Sequence, residues 1–138
     1  MASIDKEGRT PLHYAALAND TDAVSKLLTE GADPNFADRL GFTPMHFAAQ
    51  EGALAAAQIL LAAGAQVDAT NSYGNTPLAT AVFNSRGRGE LIRLLRRHGA
   101  DPQHPNNTGQ TPAGTARLIA NYNVAQFFAD LTDTDQET

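Results

Sequence analysis

The stretch GRTPLHYAA, residues 8–16, recurs along the chain in altered form and decides how the whole sequence is interpreted. Its Thr-Pro core returns as TPMH, TPLA and TPAG, with successive threonines 33, 33 and 35 residues apart. A glycine stands two residues before each threonine, Asp or Asn stands three before that glycine, and alanine stands five after the threonine. Agreement at so many offsets indicates a repeated structural unit. The four threonines are Thr10, Thr43, Thr76 and Thr111.

Each offset of this motif has a physical reason. Asp or Asn starts a turn by accepting hydrogen bonds from nearby backbone amides, and the glycine supplies the positive φ that such a turn needs. Threonine caps the following helix, and proline at the first helical position gives up no hydrogen bond. The small alanines allow neighbouring helices to approach closely. The motif therefore predicts a tight turn followed by a helix in every unit.

A unit of 33 residues with Thr-Pro-Leu-His near its start resembles the ankyrin repeat. The closing triplets GAD (31–33), GAQ (64–66) and GAD (99–101) strengthen the resemblance, which covers nearly the whole chain. It implies an all-α fold, an ankyrin-repeat solenoid of stacked helix-turn-helix units with short β-hairpin fingers projecting to one side.

The last unit departs most from the pattern, since Ala113 and Gly114 replace the Leu-His pair and a closing Gly-Ala-Asp is missing. We interpret it as a degenerate C-terminal cap, because an end unit has only one neighbour. We expect residues 1–131 to form one domain and the acidic residues 132–138, TDTDQET, to fray. The expected repeats span about 5–37, 38–70, 71–105 and 106–131.

Thr-Pro-Leu-His pairs a hydroxyl with an imidazole, as active sites do. However, His13 and His46 recur at matched repeat positions and have no acidic partner at a fixed spacing. The ankyrin resemblance implies that both are buried between units, where they bond the threonine and neighbouring backbone. We find no metal-ligand spacing, phosphate-binding loop or nucleophile elbow elsewhere. The sequence therefore predicts a protein that is not an enzyme and has no metal or cofactor.

Composition limits the classes of partner. The formal net charge of −5 disfavours nucleic acid and anionic membrane surfaces, and no apolar run approaches the ~20 residues of a membrane span. We therefore expect neither nucleic acid nor membrane as a partner. The chain has no cysteine, which excludes disulfides and fits a reducing compartment. Its first residues lack the basic and apolar regions of a secretory signal, so we expect a cytoplasmic protein.

Recognition is expected where the repeat leaves side-chain identity free. The resemblance implies contacts at the fingertips and on the exposed face of the first helices. Leu40, Phe42, Tyr73 and Phe83 stand out there, since aromatic anchors ringed by polar residues are typical of binding hot spots. The alternative is that Leu40 and Phe42 pack between fingers and serve only the stack. The predicted partner-binding residues are Arg39, Leu40, Phe42, Gln50, Glu51, Tyr73, Asn75 and Phe83.

A second candidate surface is FNSRGRGELIRLLRRHGA, residues 83–100, where two extra residues lengthen the turn between helices. Arginine forks suit carboxylate and phosphate groups, so this segment is a possible basic patch for an acidic partner. A solvated helix face with a relaxed loop fits equally well. The patch consists of Arg86, Arg88, Arg93, Arg96 and Arg97.

The leading interpretation is a non-enzymatic protein–protein interaction module, an adaptor that binds one partner protein through its fingertips and concave helix face. The alternative is a small stand-alone inhibitor or immunity-type protein that occludes a toxin or enzyme. We expect a monomer, and self-association through the apolar side chains at positions 40, 42, 73 and 83 stays open.

Overall fold

The computed structural model describes residues 4–119 and 121–131. The described residues form seven short α-helices followed by a 3₁₀ helix at Val124–Phe128. The α-helices are α1 (Pro11–Leu17), α2 (Thr21–Thr29), α3 (Pro44–Glu51), α4 (Leu54–Ala62), α5 (Pro77–Asn84), α6 (Glu90–Arg97) and α7 (Pro112–Leu118).

The Thr-Pro pairs set where the first helix of each unit begins. In all four cases the threonine is the N-cap residue in extended conformation and the proline is the first helical residue. The hydroxyl of Thr111 accepts a hydrogen bond from the backbone N–H of Gly114 at 3.0 Å, and Thr76 does the same with Ala79 at 3.3 Å. A short local signal thus fixes four helix starts, as capping preferences predict.

The helices stack in two rows. The inner row consists of the first helices, with α1 packed on α3, α3 on α5 and α5 on α7, and the outer row consists of α2, α4 and α6. The residue two positions after each capping threonine is at most 1% exposed and forms the centre of the core. These four residues are Leu12, Met45, Leu78 and Ala113. Within residues 4–119 and 121–131, the main helix–helix contacts lie inside one unit or between neighbouring units, as in a solenoid.

The fingers are tight turns, and the expected β-hairpins are not formed among the described residues, which contain no β-strand. Two backbone hydrogen bonds of Asp38 close its finger: its N–H donates to the carbonyl of Phe42 at 2.8 Å, and its carbonyl accepts from the N–H of Gly41 at 2.9 Å. Between the backbones of neighbouring fingers there is one hydrogen bond for each pair, such as that from the N–H of Ser72 to the carbonyl of Leu40 at 2.8 Å. The turns are too short to build a strand ladder.

Close stacking of the fingers requires glycine. Gly41 has a φ of 82°, and a Cβ placed there would lie 2.8 Å from the Cα of Asn71 in the next finger. A side chain at this position would therefore meet both backbone strain and a clash with backbone.

The fourth unit has a 3₁₀ helix where the other units have a second α-helix. It belongs to residues 121–131, here named the C-terminal segment, which packs on α7 through the buried side chains of Val124 and Phe128. The segment therefore contributes buried side chains as the second helices of the other units do, although the helix type differs. The expected frayed tail, residues 132–138, lies outside the described residues.

Candidate functional site

Three fingers and three inner helices enclose a cleft on one side of the stack. The cleft has a volume of about 320 Å³ and lies between α3, α5 and α7 and the fingers that precede them. Aromatic rings, amides and hydroxyls line it, and none of its side chains carries a formal charge. The lining residues are Phe42, Gln50, Asn71, Tyr73, Asn75, Ala79, Thr80, Phe83, Asn84, Asn106, Gln110, Thr111 and Thr115. We name this surface the groove.

Five of the eight residues predicted from the sequence as partner-binding line the groove: Phe42, Gln50, Tyr73, Asn75 and Phe83. The other three lie outside its lining. Arg39 lies against the backbone of Gly8 in the preceding finger, Leu40 is exposed at its own fingertip, and Glu51 lies at the exposed end of α3.

The aromatic rings of the groove differ in how much they contribute to the stack. Phe83 on α5 is 75% exposed and Tyr73 is 53% exposed. Phe42 is half-buried, and its ring stacks on that of the buried Phe47 with centroids 5.8 Å apart and meets the His46 ring edge-on at 5.6 Å. The Phe42 ring also meets the Tyr73 ring of the next finger edge-on, with centroids 6.4 Å apart, so the alternative left open for Phe42 has a structural basis.

Two asparagines of the groove hold its shape. The Oδ1 atom of Asn71 accepts hydrogen bonds from the N–H groups of Tyr73 at 3.0 Å and Asn75 at 3.1 Å. Asn106 does the same in the next finger and also donates from Nδ2 to Oδ1 of Asn75 at 3.0 Å. Because these amides are used within and between the turns, they fix the wall of the groove.

Other polar groups of the groove have spare hydrogen-bonding capacity. Within residues 4–119 and 121–131, the side chain of Gln110 and the hydroxyl of Thr115 make no hydrogen bond. Asn84 donates from Nδ2 to the carbonyl of Thr80 at 2.9 Å, which occupies one of its donors. These groups can donate to and accept from a bound molecule.

The predicted partner-binding set omitted several lining residues, although the repeat offsets point to them. Gln110 stands one residue before its threonine, as the predicted Phe42 and Asn75 do. Thr80 and Thr115 stand four residues after theirs, on the same helix face. A polar residue at a matched offset of the next repeat was the available signal.

The five arginines of residues 83–100 have different roles. Arg96 donates two hydrogen bonds to the carboxylate of Asp130, at 2.6 and 2.7 Å, and one to the carbonyl of Phe127 at 3.0 Å. The guanidinium of Arg96 holds the pKa of the Asp130 carboxyl below its usual value. Arg93 lies over the ring of Phe127 at 4.7 Å from its centroid. Both arginines therefore hold the C-terminal segment against α6.

The remaining three arginines of the predicted basic patch are exposed. Arg86 adopts a positive φ of 51°, and Arg88 donates from Nε to the carbonyl of Ser85 at 3.3 Å. Arg97 lies in the last turn of α6, where its charge complements the helix dipole. A docking role for these three stays a prediction.

His13 and His46 are fully buried and connect neighbouring units. The Nδ1 atom of His13 accepts a hydrogen bond from the backbone N–H of Thr10 at 3.0 Å, so its Nε2 carries the proton and donates to the carbonyl of Phe42 at 2.9 Å. His46 repeats the arrangement with Thr43 and Asn75. Burial lowers the pKa of both imidazoles, which favours the neutral form that this bonding requires. The two histidines are structural, as the repeat pattern predicts.

Among residues 4–119 and 121–131, no three histidine or acidic side chains are placed to hold a metal ion. No helix in the same part of the chain has both the length and the apolar character needed to cross a membrane.

Comparison with known protein families gives two matches. The model described as ankyrin repeats (3 copies) matches residues 1–71, and the model described as ankyrin repeat matches residues 73–107. No curated protein matches the chain.

Proposed function

Because the chain belongs to the ankyrin-repeat family, we propose that it is a non-enzymatic interaction module that binds a partner protein in its groove. Ankyrin repeats generally mediate protein–protein interaction. The choice of site rests on the exposed fractions of two groove side chains, 75% for Phe83 and 53% for Tyr73. Two exposed aromatic side chains that line one polar cleft are typical of an energetic hot spot.

Preformed geometry supports the same proposal. The bonds of Asn71 and Asn106 and the stacked fingers hold the groove before a partner arrives. Binding to a rigid surface costs little ordering entropy in the receptor, so more of the contact energy is available as affinity.

A photo-crosslinking experiment tests this function. A benzophenone amino acid replaces Phe83 in one variant and Tyr73 in another, and each is expressed in cells of the source organism. We expect both positions to crosslink to the same protein. The matched control places the probe at Ile4, which is 55% exposed and lies outside the groove lining. Equal crosslinking from all three positions, or from Ile4 alone, would contradict the proposed site.

The purified partner then gives a quantitative measurement. We expect Phe83→Ala to weaken its binding by about tenfold or more, since hot-spot truncations cost at least about 2 kcal/mol, and Ile4→Ala to leave it unchanged. If the partner is an enzyme or toxin that loses activity in the complex, the inhibitor function is the correct one. An unaltered affinity in Phe83→Ala would place recognition elsewhere.

A second copy of the chain is the competing occupant of the groove. We propose that the free chain is a monomer, so light scattering at several concentrations should give a constant mass near 14.6 kDa. A mass that rises toward twice this value, and that Phe83→Ala returns to the monomer value, would assign the groove to a second copy.

A further inference from the structure

The groove differs from the rest of the surface in its lack of charge. The chain as a whole has 18% charged residues and a net charge of −5, yet every lining side chain is neutral. A charged ligand group entering such a site would lose water and find no opposite charge to replace it, which is unfavourable. Charge complementarity therefore points to an uncharged occupant.

The dimensions of the groove suit an extended chain. Its volume of about 320 Å³ is at the lower end of small-molecule sites, so it accepts one or two side chains and not a bulky surface. It crosses α3, α5 and α7, whose neighbouring axes should lie about 10 Å apart. Two such spacings give about 20 Å from α3 to α7, which an extended peptide at about 3.3 Å per residue covers with about six residues.

Two kinds of contact are available to such a chain. Phe83 and Tyr73 offer exposed rings for one large apolar side chain. Gln110, Thr115 and Asn84 offer amide and hydroxyl groups that can bond the N–H and C=O groups of a peptide backbone without regard to its sequence.

We infer, on the basis of the proposed function, that the groove recognises an extended, uncharged peptide segment of the partner, with one aromatic or large aliphatic side chain packed on Phe83 and Tyr73. The polar groups of the groove pair with the backbone of this segment. Recognition is therefore apolar and insensitive to ionic strength.

A randomised library of peptides of about ten residues, displayed on phage and selected against the immobilised full chain, supplies the probe. We expect the selected peptides to be depleted of Asp, Glu, Lys and Arg relative to the library and to share one large apolar position. Enrichment of charged residues, or no enrichment of any peptide, would overturn the inference.

Synthetic copies of the selected peptides are then titrated in about 0.1 M and about 1 M salt, which shortens the screening length from about 10 Å to about 3 Å. We expect the Kd to change less than about twofold, because no ion pair is screened. A loss of affinity of about tenfold or more would overturn the inference of an uncharged ligand.

The Phe83→Ala variant separates this inference from the proposed function. A salt-sensitive peptide that still needs Phe83 contradicts only the neutral-ligand inference. A peptide that binds Phe83→Ala as well as the unmodified chain contradicts the proposed site itself.

Paired substitutions at Gln110 test whether the bound peptide carries a positive or a negative charge. Gln110→Glu keeps the size of the side chain and adds a negative charge, and Gln110→Lys adds a positive one. For an uncharged peptide we expect both to weaken binding by about threefold, since each removes hydrogen-bonding capacity of the amide. Tighter binding in either variant would show that the peptide carries the opposite charge and would overturn the inference.

Discussion

Phe42 and Phe83 line the same groove and depend on the fold in opposite ways. Phe42 stacks on Phe47 and meets His46 edge-on, whereas Phe83 projects from α5 with three-quarters of its surface exposed. From the sequence both were candidates for the same role, because neither is required by the repeat. The difference between a packing ring and a free ring appears only once their neighbours are in place.

We expect Phe42→Ala to lower the free energy of unfolding by about 1–3 kcal/mol, since a half-buried ring is removed from between fingers. Phe83→Ala is the matched control and should change stability by no more than about 0.5 kcal/mol, because its ring is mainly solvated. Urea denaturation of both variants measures the two values. Equal losses would show that Phe83 also contributes to the stack.

His13 and His46 tie stability to pH. Their folded pKa values lie below the usual value of about 6.5 because of burial, so the unfolded chain binds protons that the folded chain does not. The free energy of unfolding therefore falls as the pH drops below about 6.5, by at most about 1.4 kcal/mol per pH unit for each histidine. Above that pH both states are neutral at these residues and the contribution is constant.

Urea denaturation between about pH 7.5 and about pH 5.5 measures this slope, in a range above the titration of ordinary carboxyl groups. His46→Ala, which places at position 46 the residue that the third unit has at Ala79, should be less stable at pH 7.5 and should lose less on acidification. A variant with the full slope would show that His46 is not a source of the pH dependence.

At the scale of elements, the lengthened turn before α6 provides the binding surface for the C-terminal segment. A Cβ on Gly89 would lie 2.1 Å from Cε1 of Phe127, and one on Gly87 would lie 3.1 Å from Cδ1 of Tyr122. Arg93 and Arg96 then contact the same segment from α6. Glycines and arginines that resemble a flexible basic loop in the sequence thus form part of the packing at this end of the stack.

We expect Gly89→Ala to lower the free energy of unfolding by about 1–2 kcal/mol, because the added methyl group displaces the ring of Phe127. Backbone strain does not contribute, since Gly89 has a φ of −108° that alanine adopts freely. In a Phe127→Ala background the same substitution should cost much less, and a double-mutant cycle measures the coupling. Additive effects would mean that the two residues do not meet.

At the scale of the whole molecule, the residue four positions after the glycine of each closing triplet decides how one unit bonds to the next. In the first two units its side chain hydrogen-bonds the following unit. Asn35 donates to the carbonyl of Gly64 at 3.1 Å and accepts from the N–H of Gln66 at 2.7 Å, and the carboxylate of Asp68 accepts from the N–H of Asp101 at 3.2 Å. Gln103 occupies the matching position of the third unit, and both atoms of its amide are buried without a hydrogen bond. The fourth unit lacks the closing triplet that would supply the partner.

We expect Gln103→Met to raise the free energy of unfolding by about 1 kcal/mol, because it removes a buried amide that has no hydrogen-bond partner. Asn35→Leu is the matched control and should lower it by about 1 kcal/mol, because it removes the hydrogen bonds to the carbonyl of Gly64 and the N–H of Gln66, which water replaces only in part. Thermal and urea denaturation measure both. A loss of stability in Gln103→Met would mean that the amide has an interaction that the fold does not reveal.

The sequence by itself determined the four helix starts, the stacking order and the structural role of the buried histidines. Each depends on residues a few positions apart, or on a contact between neighbours that returns with every repeat, so periodic identity encodes it. Only the tertiary structure decided that Arg96 forms an ion pair with Asp130 and that Phe127 packs against Gly89. It also decided that Phe42 packs while Phe83 stays exposed. These contacts occur once, between residues with no shared period, and depend on which side chains the completed stack brings face to face.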